Sequence, residues 1–420
     1  MFLSRILISD GLFDLTCSYV SKKNFEKSNL TSSIESLLQQ ANPFKNVAVF
    51  NSKGQLLPKV SHWLSMCFKN EVLATTTIKN YGRSFSYLID YLNEHDLFKD
   101  YSNDDALMYI EEHHFKEYFV YLENEENLSL STIRNREGAY SNFFNSYLSK
   151  KKSRPLQYRE DSPFSSGCLS KKGKNKLIEL IKIDELIGIL NLLARESERA
   201  VIQFMFDSGL RVSEIPRITK ADIDDALAYE SGTIIDDDTF CEGTVYKPFY
   251  VMGSKGRRNE IKPRYTYVSV STLHRVKRYI SSPIYRKHFK QNQSNNPIFL
   301  NSRGKPWTTA SLKKMISRVS KKALLQGIIK KNLHPHKLRH SFAVGFLNSN
   351  DLGTDAAHRL LILMTAMGHE FLDTTKVYTT IPADIYCHYL DEHGSALHRN
   401  DLMQITWDKT KMNLFKKFGK

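Results

Sequence analysis

The chain has 420 residues, of which 41% are hydrophobic and 25% are charged, an ordinary composition for a globular protein of two or three domains. Its 60 Lys and Arg against 45 Asp and Glu give a net charge of +15, which indicates a polyanionic partner, nucleic acid before an anionic membrane surface. The sequence contains no apolar run long enough for a membrane span or a signal segment, and its five cysteines form no C-x-x-C pair. We therefore expect a cytoplasmic, DNA-associated protein with reduced thiols, not a membrane, secreted or zinc-stapled one.

Residues 1–55 form an N-terminal extension in which alternation of apolar and polar residues is poor. The stretch SSIESLLQQ predicts one short helix there. The composition fits either an additional DNA-binding arm or a segment that packs on the next domain, and the sequence leaves both interpretations open.

Residues 56–150 have a helical pattern. Apolar residues recur at helical spacing in 75–92, where Thr75 to Thr77 offer an N-cap, and in 129–148, where the cap is expected around Ser129 or Ser131. The intervening stretch YSNDDALMYIEEHHFKEYFVYL predicts one or two more helices.

Four cations lie mainly on the polar faces of these helices. They are Lys79, Arg83, Arg134 and Arg136. Such residues are solubilising by default, but in a basic protein a small helical bundle can present them to a DNA backbone.

Residues 151–176 divide the chain. The stretch KKKSRPLQYREDSPFSSGCLSKKGKNK, beginning with Lys150, Lys151 and Lys152, has nine Lys and Arg, two prolines and no regular periodicity. It predicts an extended basic linker, either a solvated loop or a segment that crosses a DNA backbone.

A mixed pattern follows in residues 177–400, before a tail at 401–420 to which we assign no motif. The pattern predicts an amphipathic helix in 181–195, a second helix ended or bent by Gly209, a hairpin in 244–270 and further helices from Thr309 onward. The predicted fold is thus mainly α and multidomain, a helical domain followed by an α+β domain with a small antiparallel sheet.

The stretch HPHKLRH, residues 334–340, carries three histidines and two cations. His336 and His340 have the i, i+4 spacing of a two-histidine zinc motif, but the stretch holds no Glu to act as a base, and the adjacent cations disfavour a metal ion. His336 and Arg339 share a helix face, an arrangement that suits a phosphate better. A surface basic cluster, or a buried His with Arg capping a carbonyl, would be the structural alternative.

Three other stretches carry residues of the same chemistry. FDSGLRVSEI contains Arg211 and Glu214, GSKGRR contains Lys255 at a predicted hairpin tip, and MGHEFLDTTKVYTT contains His369 and Tyr378. Taken singly, they would be a helix start with a salt bridge, a basic turn (with Arg257 and Arg258 beside it) and a half-buried tyrosine.

Their combination, in this order, resembles the tyrosine recombinase (phage integrase) family. The contexts are G-L-R-x-S-E, H-x-L-R-H and G-H-x-x-x-x-T-T-x-x-Y. The resemblance covers about 181–385 as a catalytic domain and, more loosely, about 55–150 as the family's core-binding domain. It implies a site-specific DNA recombinase, an integrase or transposase-like enzyme of a mobile element.

Phosphodiester transesterification assigns a role to each of these residues. Tyr378 would be the nucleophile and would conserve the bond energy in a phosphotyrosine, so no external energy source or metal is needed. The other expected roles are phosphate clamping by Arg211 and Arg339, general acid for Lys255, acceptance of the tyrosine proton by His336, a hydrogen bond to phosphate from His369, and support by Glu214. Tyr386 and Tyr389 are rival nucleophiles, but Tyr378 has the family's offset from His369.

The resemblance also implies an assembly. The family binds two double-stranded recombination sites as a homo-tetramer, exchanges strands through a Holliday junction and works in some cases with accessory DNA-binding proteins; the free protein would be a monomer or weak oligomer. A type IB topoisomerase and a non-catalytic DNA-binding protein on the same scaffold are the alternatives. A metal-dependent nuclease is disfavoured, because Asp236 to Asp238 are consecutive and cannot easily converge on one ion.

Overall fold

A computed structural model describes residues 6–9, 46–149, 159–173, 178–229, 245–253, 261–288, 297–349, 352, 355–369, 372, 375, 378–379 and 398–414. The described residues fall into two compact units, one that runs up to Gly173 and one that begins at Ile178. Each unit has its own hydrophobic core. The predicted fold class, mainly helical with a small antiparallel sheet, is confirmed.

The first unit is a helical bundle. Its helices are α1 (Pro58–Lys69), α2 (Thr75–Leu92), α3 (Glu112–Asn124) and α4 (Leu130–Phe143), with a 3-10 turn at Asp105–Met108 and a π-helical turn at Phe144–Leu148. Helical spacing brings the apolar side of each helix into one aromatic core, in which Phe85 meets Tyr140 and Phe143 edge to face. The Ser129 side chain caps α4 as predicted, whereas α2 begins after Ala74 without any side-chain cap.

A short pair of strands precedes the bundle. Strand β1 (Ile6–Ser9) pairs antiparallel with β2 (Asn46–Val49). The β2 amides of Val47 and Val49 donate to the Ser65 and Ser61 hydroxyls of α1, so the strand is fixed to the helix as well as to β1. Val49 and Leu57 are buried in the core. The described part of the predicted extension just before residue 56 therefore packs on the bundle. The helix expected in SSIESLLQQ lies outside the described residues.

Residues 159–173, the described part of the predicted linker, also pack against the first unit. Phe164 is buried beside Phe115, and the Arg159 guanidinium donates to the Leu107 and Ile110 carbonyls. The buried Glu137 carboxylate accepts from the backbone amides of residues 169 and 170. The prediction of an extended linker is therefore wrong for this part, because its buried phenylalanine and its hydrogen bonds fix it to α3 and α4.

The second unit contains the larger core. Its helices are α5 (Ile183–Asn191), α6 (Glu196–Ser208), α7 (Lys220–Ala228), α8 (Val270–Ile280), α9 (Pro283–His288), α10 (Thr309–Leu325), α11 (Pro335–Leu347), α12 (Ala356–Met367) and α13 (Arg399–Thr410). The predicted helices and the stop at Gly209 are confirmed, since Gly209 adopts φ 64°, a left-handed conformation that glycine accepts without strain. A Cβ there would lie 2.2 Å from the Phe342 ring.

The predicted hairpin is present as strands β3 (Tyr246–Val251) and β4 (Arg264–Ser269), paired antiparallel from Tyr246 with Ser269 to Val251 with Arg264. Buried polar contacts attach it to the end of α6. The Asp207 carboxylate accepts from the Ser269 amide and hydroxyl, both at 2.9 Å, and the Thr266 hydroxyl donates to the Ser208 carbonyl. The strand that ends at Val251 is thus held beside the turn that follows α6.

The last helix among the described residues, α13, is an integral part of the second unit. Met403 is fully buried, and Arg399 donates to Asp207 at 3.0 Å in the interior. At the other end of α13, Arg275 of α8 donates to the Thr410 hydroxyl at 2.8 Å. The boundary expected between residues 400 and 401 therefore falls inside a packed helix, and the described part of the expected tail belongs to the core.

Candidate active site

The stretch HPHKLRH forms the first turns of α11. Pro335 occupies the first helical position, where its missing N–H costs nothing, and the His334 ring caps the helix by accepting from the Lys337 amide at 3.1 Å. The helix then turns Arg339 inward, and it lies 4% exposed. The three histidines thus have different surroundings: one caps the helix, His336 is exposed, and His340 is half-buried.

Arg339 ties three segments of the site together. Its guanidinium donates to the Gly209 carbonyl at the end of α6 and to the Met367 carbonyl at the end of α12. Burial, followed by the nearby charges of Arg211 and Arg264, lowers the pKa of Arg339 to about 9. A buried cation next to other cations is the electrostatic environment that an anionic ligand would relieve.

The carboxylate of Glu214 binds two arginines of the site, Arg211 and Arg264. It accepts from Arg264 through two hydrogen bonds of 2.8 and 2.9 Å, from the Arg211 amide at 2.8 Å and from the Arg211 guanidinium at 3.5 Å. Burial by itself raises the pKa of Glu214, but the hydrogen bonds and charge of Arg264, with a smaller contribution from Arg211, bring it below its usual value. Glu214 therefore lies in contact with both Arg211 and Arg264, and its role in supporting the site stays a prediction.

His369 directly follows Gly368, the left-handed residue that ends α12 with φ 62°. Its Nδ1 lies 2.9 Å from the hydroxyl of the fully buried Thr375. Burial, then the charges of Arg339 and Arg211, lowers the pKa of His369 to about 4. The ring is therefore neutral at pH 7, and the Thr375 contact leaves Nε2 as the nitrogen free for another partner.

Tyr378 is 4% exposed and lies against α11. Its hydroxyl is 2.9 Å from Nδ1 of His340, and the two rings lie 5.6 Å apart at 50°. Burial raises the pKa of Tyr378, and Arg339 partly opposes that rise. The side chain in contact with the tyrosine hydroxyl is thus His340. The sequence predicts that His336, one turn earlier on α11, accepts the tyrosine proton.

Three residues of the site were not predicted from the sequence. Arg264 lies in a strand whose register places it opposite Val251, while His340 and Thr375 belong to the H-x-L-R-H and G-H-x-x-x-x-T-T-x-x-Y contexts without a predicted role in the reaction. The local indications were these two motif contexts and the i, i+4 spacing of His336 and His340.

The remaining predicted residues fall into two groups. Lys255, Arg257, Arg258, Lys150, Lys151, Lys152, Tyr386 and Tyr389 lie outside the described residues. In the first unit Arg83 is exposed, Arg136 stacks on the Tyr87 ring at 4.5 Å, and Arg134 donates to the Ser170 carbonyl and pairs with Glu137. Arg134 is therefore at least partly structural.

No cluster of three or more His, Cys, Asp or Glu side chains suited to a metal ion occurs in the part of the chain that the structure describes. Within the same residues, no helix is both long and apolar enough to cross a membrane.

Sequence comparison identifies the class to which this fold and cluster belong. Residues 179–383 match the sequence profile of the phage integrase family, and residues 63–153 match that of the phage integrase N-terminal SAM-like domain. The two matches together cover well over half of the chain. The protein belongs to the phage integrase family of tyrosine recombinases, enzymes that cut and rejoin DNA.

Individual relatives agree with this assignment. The tyrosine recombinase XerC of Oceanobacillus iheyensis is 25% identical over 304 residues, which span 70% of this chain and 85% of the relative. Among solved structures, the XerH site-specific recombinase bound to palindromic difH substrate has a TM-score of 0.52 at 18% identity, with 87% of this chain and 88% of that chain covered. The Tn1549 transposon integrase in complex with a circular intermediate DNA has a TM-score of 0.53 at 17% identity, with 78% and 97% covered. The solved structures support the fold.

Proposed function

We propose that this protein is a site-specific DNA recombinase of a mobile element, which cuts and rejoins duplex DNA through a 3′-phosphotyrosine intermediate. In this proposal residues 177–400, extended through α13, catalyse the reaction, and residues 56–150 bind DNA as the core-binding domain. The transposon integrase among the structural relatives supports a mobile element as the source.

The observation that carries the proposal is the buried hydroxyl of Tyr378 within a cluster of cations and neutral imidazoles. Arg339 and Arg211 lie close enough to lower the pKa of His369, and Arg339 also acts on Tyr378 itself. Among the described residues, Glu214 is the acid paired with Arg211 and Arg264. Such a site favours a phosphodiester, because the added negative charge relieves the repulsion between buried cations.

The reaction assigns one task to each group. Tyr378 attacks the scissile phosphorus, and the bond between phosphorus and the 5′ oxygen breaks. Arg211 and Arg339 stabilise the charge on the non-bridging oxygens, and loss of one such donor typically lowers the rate by roughly 100–1,000-fold. His369 donates Nε2–H to the phosphate, and His336 contacts it from the exposed side of α11. Lys255 protonates the departing 5′ oxygen.

The assembly is proposed by analogy with the family. Strand exchange needs two DNA sites held together, so we propose a homo-tetramer on DNA that resolves a Holliday junction. The free protein would be a monomer or weak oligomer, and accessory DNA-binding proteins would help to assemble the complex. The net charge of +15 supports double-stranded DNA as the partner.

Trapping of a covalent adduct tests the proposal. Short nicked duplexes that tile the DNA on either side of the gene for this chain would be incubated with the protein in EDTA and denatured in SDS. The attached peptide would then be mapped by mass spectrometry. We expect a DNA-linked peptide that contains Tyr378, and no adduct with Tyr378→Phe, which keeps the ring but lacks the nucleophile.

The alternatives give different results. Relaxation of supercoiled DNA by isolated monomers, without exchange between two sites, would indicate a type IB topoisomerase-like activity. Tight binding to the same duplexes without any adduct would indicate a non-catalytic DNA-binding protein. An adduct on another tyrosine, such as Tyr386 or Tyr389, would reject Tyr378 as the nucleophile.

A further inference from the structure

The Tyr378 hydroxyl has a protein partner in the structure. His340 Nδ1 lies 2.9 Å from the phenolic oxygen, within hydrogen-bond distance. Because Tyr378 is 4% exposed, bulk water has little access to this hydroxyl. A proton that leaves the tyrosine must therefore pass to a neighbouring group.

The other two imidazoles near the site are placed differently. His369 uses its Nδ1 in the contact with Thr375 at 2.9 Å. His336 lies on the exposed side of α11, and its ring centroid is 6.2 Å from that of His340. Of the three, His340 is the one in hydrogen-bond contact with the reacting oxygen.

We propose that His340 is a catalytic residue, which accepts the proton of Tyr378 as the tyrosine attacks DNA and returns it when the strand is rejoined. This role rests on the proposed function. It replaces His336 in the proton transfer and leaves His336 to contact the phosphate.

The proton and bond changes balance without a further reactant. In cleavage the O–H proton of Tyr378 moves to Nδ1 of His340 while the phenolic oxygen forms a bond to phosphorus. The bond from phosphorus to the 5′ oxygen breaks, and Lys255 supplies the proton for that oxygen. In rejoining, the 5′ hydroxyl attacks, its proton returns to Lys255, and imidazolium His340 reprotonates the departing tyrosine.

The electrostatics of α11 suit a base that is neutral before DNA binds. Burial first, then the proximity of His336, His334 and Arg339, lowers the pKa of His340 to about 4. His369, on the segment after α12, and Tyr378 are the other titratable groups that face it. The ring is thus neutral at pH 7, and Nδ1 can accept the tyrosine proton in the tautomer that carries its hydrogen on Nε2. A bound phosphate adds negative charge nearby, which raises the pKa of the imidazole and strengthens it as an acceptor.

The tautomer of His340 is the first test, and it needs no DNA. Nitrogen-15 NMR of the full-length protein with labelled histidine, assigned by comparison with His340→Asn, would report which ring nitrogen carries the proton. We expect Nδ1 unprotonated and Nε2 protonated at pH 7. A protonated Nδ1 that donates to the tyrosine oxygen would overturn the proposal, since such a nitrogen cannot accept a proton.

The second test compares two variants on one helix, with the nicked duplex that yields the wild-type adduct. In His340→Asn the side-chain amide can hold the hydroxyl but cannot take its proton, so we expect adduct formation to slow by about 100-fold or more. The fall of the wild-type rate towards low pH should disappear in this variant, because the group whose protonation causes it is gone. His336→Asn, one turn earlier, should retain that fall whatever its absolute rate.

A substrate with sulfur in place of the 5′ bridging oxygen separates proton acceptance from proton donation. Thiolate is a good leaving group without an acid, so Lys255→Ala should recover on this substrate, while His340→Asn should stay slow. A His340→Asn rate within tenfold of wild type, with an unchanged pH profile, would reduce His340 to a positioning residue and reject the proposal. If wild type forms no adduct at all, the proposed function itself fails; failure confined to the variant comparison removes the role of His340 alone.

Discussion

At the residue scale, the three histidines of HPHKLRH show why spacing alone does not assign a role. His336 and His340 share a face of α11, about 6 Å apart along the axis. Which of them contacts Tyr378 depends on the tertiary structure, because Tyr378 lies 38 positions after His340 in the chain. In the structure the Tyr378 hydroxyl oxygen is 2.9 Å from Nδ1 of His340. The same short motif therefore supplies three different histidines: His334 caps the helix, His336 is exposed, and His340 contacts the tyrosine.

Thr375 provides a test of how His369 is oriented. The Thr375→Val variant keeps the shape of this buried side chain but removes the hydroxyl that holds Nδ1, so we expect covalent adduct formation to slow by about 10–100-fold, as for an outer partner of a site histidine. Thr375→Ser retains the hydroxyl and should stay near the wild-type rate. Both would be measured on SDS gels with a common labelled duplex, and equal rates for the two would show that the hydroxyl does not matter.

At the element scale, the site is held by contacts between the ends of helices and strands. Arg264 begins β4, pairs with Glu214 in the turn after α6, and donates to the Ala366 carbonyl near the end of α12 at 2.8 Å. Arg339 of α11 reaches the end of α6 and of α12 as well. These two arginines thus join β4, α11 and the ends of α6 and α12 at the candidate active site.

Replacement of Arg264 should destabilise the second unit strongly. Arg264→Ala leaves the buried Glu214 without its two-hydrogen-bond partner, which typically costs about 3–5 kcal/mol in free energy of unfolding. Arg217→Ala, an exposed arginine in the same region, should change it by less than about 0.5 kcal/mol. Urea unfolding followed by tryptophan fluorescence would measure both, and similar midpoints for the two variants would contradict the expectation.

The last helix offers a matched pair of core and surface positions. Met403 is fully buried on α13, so Met403→Ala should lower the free energy of unfolding by about 2–5 kcal/mol through lost burial and a cavity. Ile405 lies on the same helix but is 40% exposed, and Ile405→Ala should cost much less. Equal losses of unfolding free energy for the two variants, measured by thermal or urea unfolding, would mean that α13 does not pack in the core.

At the scale of the whole molecule, the positive charge is divided unequally between the two units: residues 1–175 carry 22 Lys and Arg against 20 Asp and Glu, whereas residues 176–420 carry 38 against 25. The surplus of 15 positive charges is unevenly spread, since α3 and the residues after it carry a concentration of acids. These are Glu112, Glu117, Glu123, Glu125 and Glu126. DNA contacts in the first unit are therefore expected from the other helices, α2 in particular.

Binding to duplex DNA should weaken steeply with salt, by about 1,000-fold or more between 50 and 200 mM if at least six phosphates are contacted. Arg83→Ala, on the exposed side of α2, should reduce the slope of log affinity against log salt by about one. Lys116→Ala, on the acidic helix and paired with Glu112 at 2.7 Å, should leave the slope unchanged. Fluorescence anisotropy with a random duplex would measure all three proteins, and equal slopes would exclude α2 as a contact surface.

The local pattern was enough to place most of the regular structure. Helix α2 spans Thr75–Leu92 as predicted, and α6 stops at the predicted glycine, because apolar periodicity and left-handed termination act within a few residues. The segment 159–173 was predicted as a linker because its charged and small residues are typical of one. Whether Phe164 is buried depends on aromatic residues that are distant in the sequence. Arg264 was not predicted as a site residue for the same reason, because its partner Glu214 lies 50 positions away in the chain.

By itself, the sequence determined the helical composition, the hairpin, the surplus positive charge and the order of motifs that indicates a tyrosine recombinase. These properties are set by composition and short-range spacing. Only the tertiary structure decided that His340 meets the Tyr378 hydroxyl, that Arg264 shares Glu214 with Arg211, and that α13 completes the core. Those contacts join residues far apart in the chain, and packing of the whole unit, rather than any local preference, brings them together.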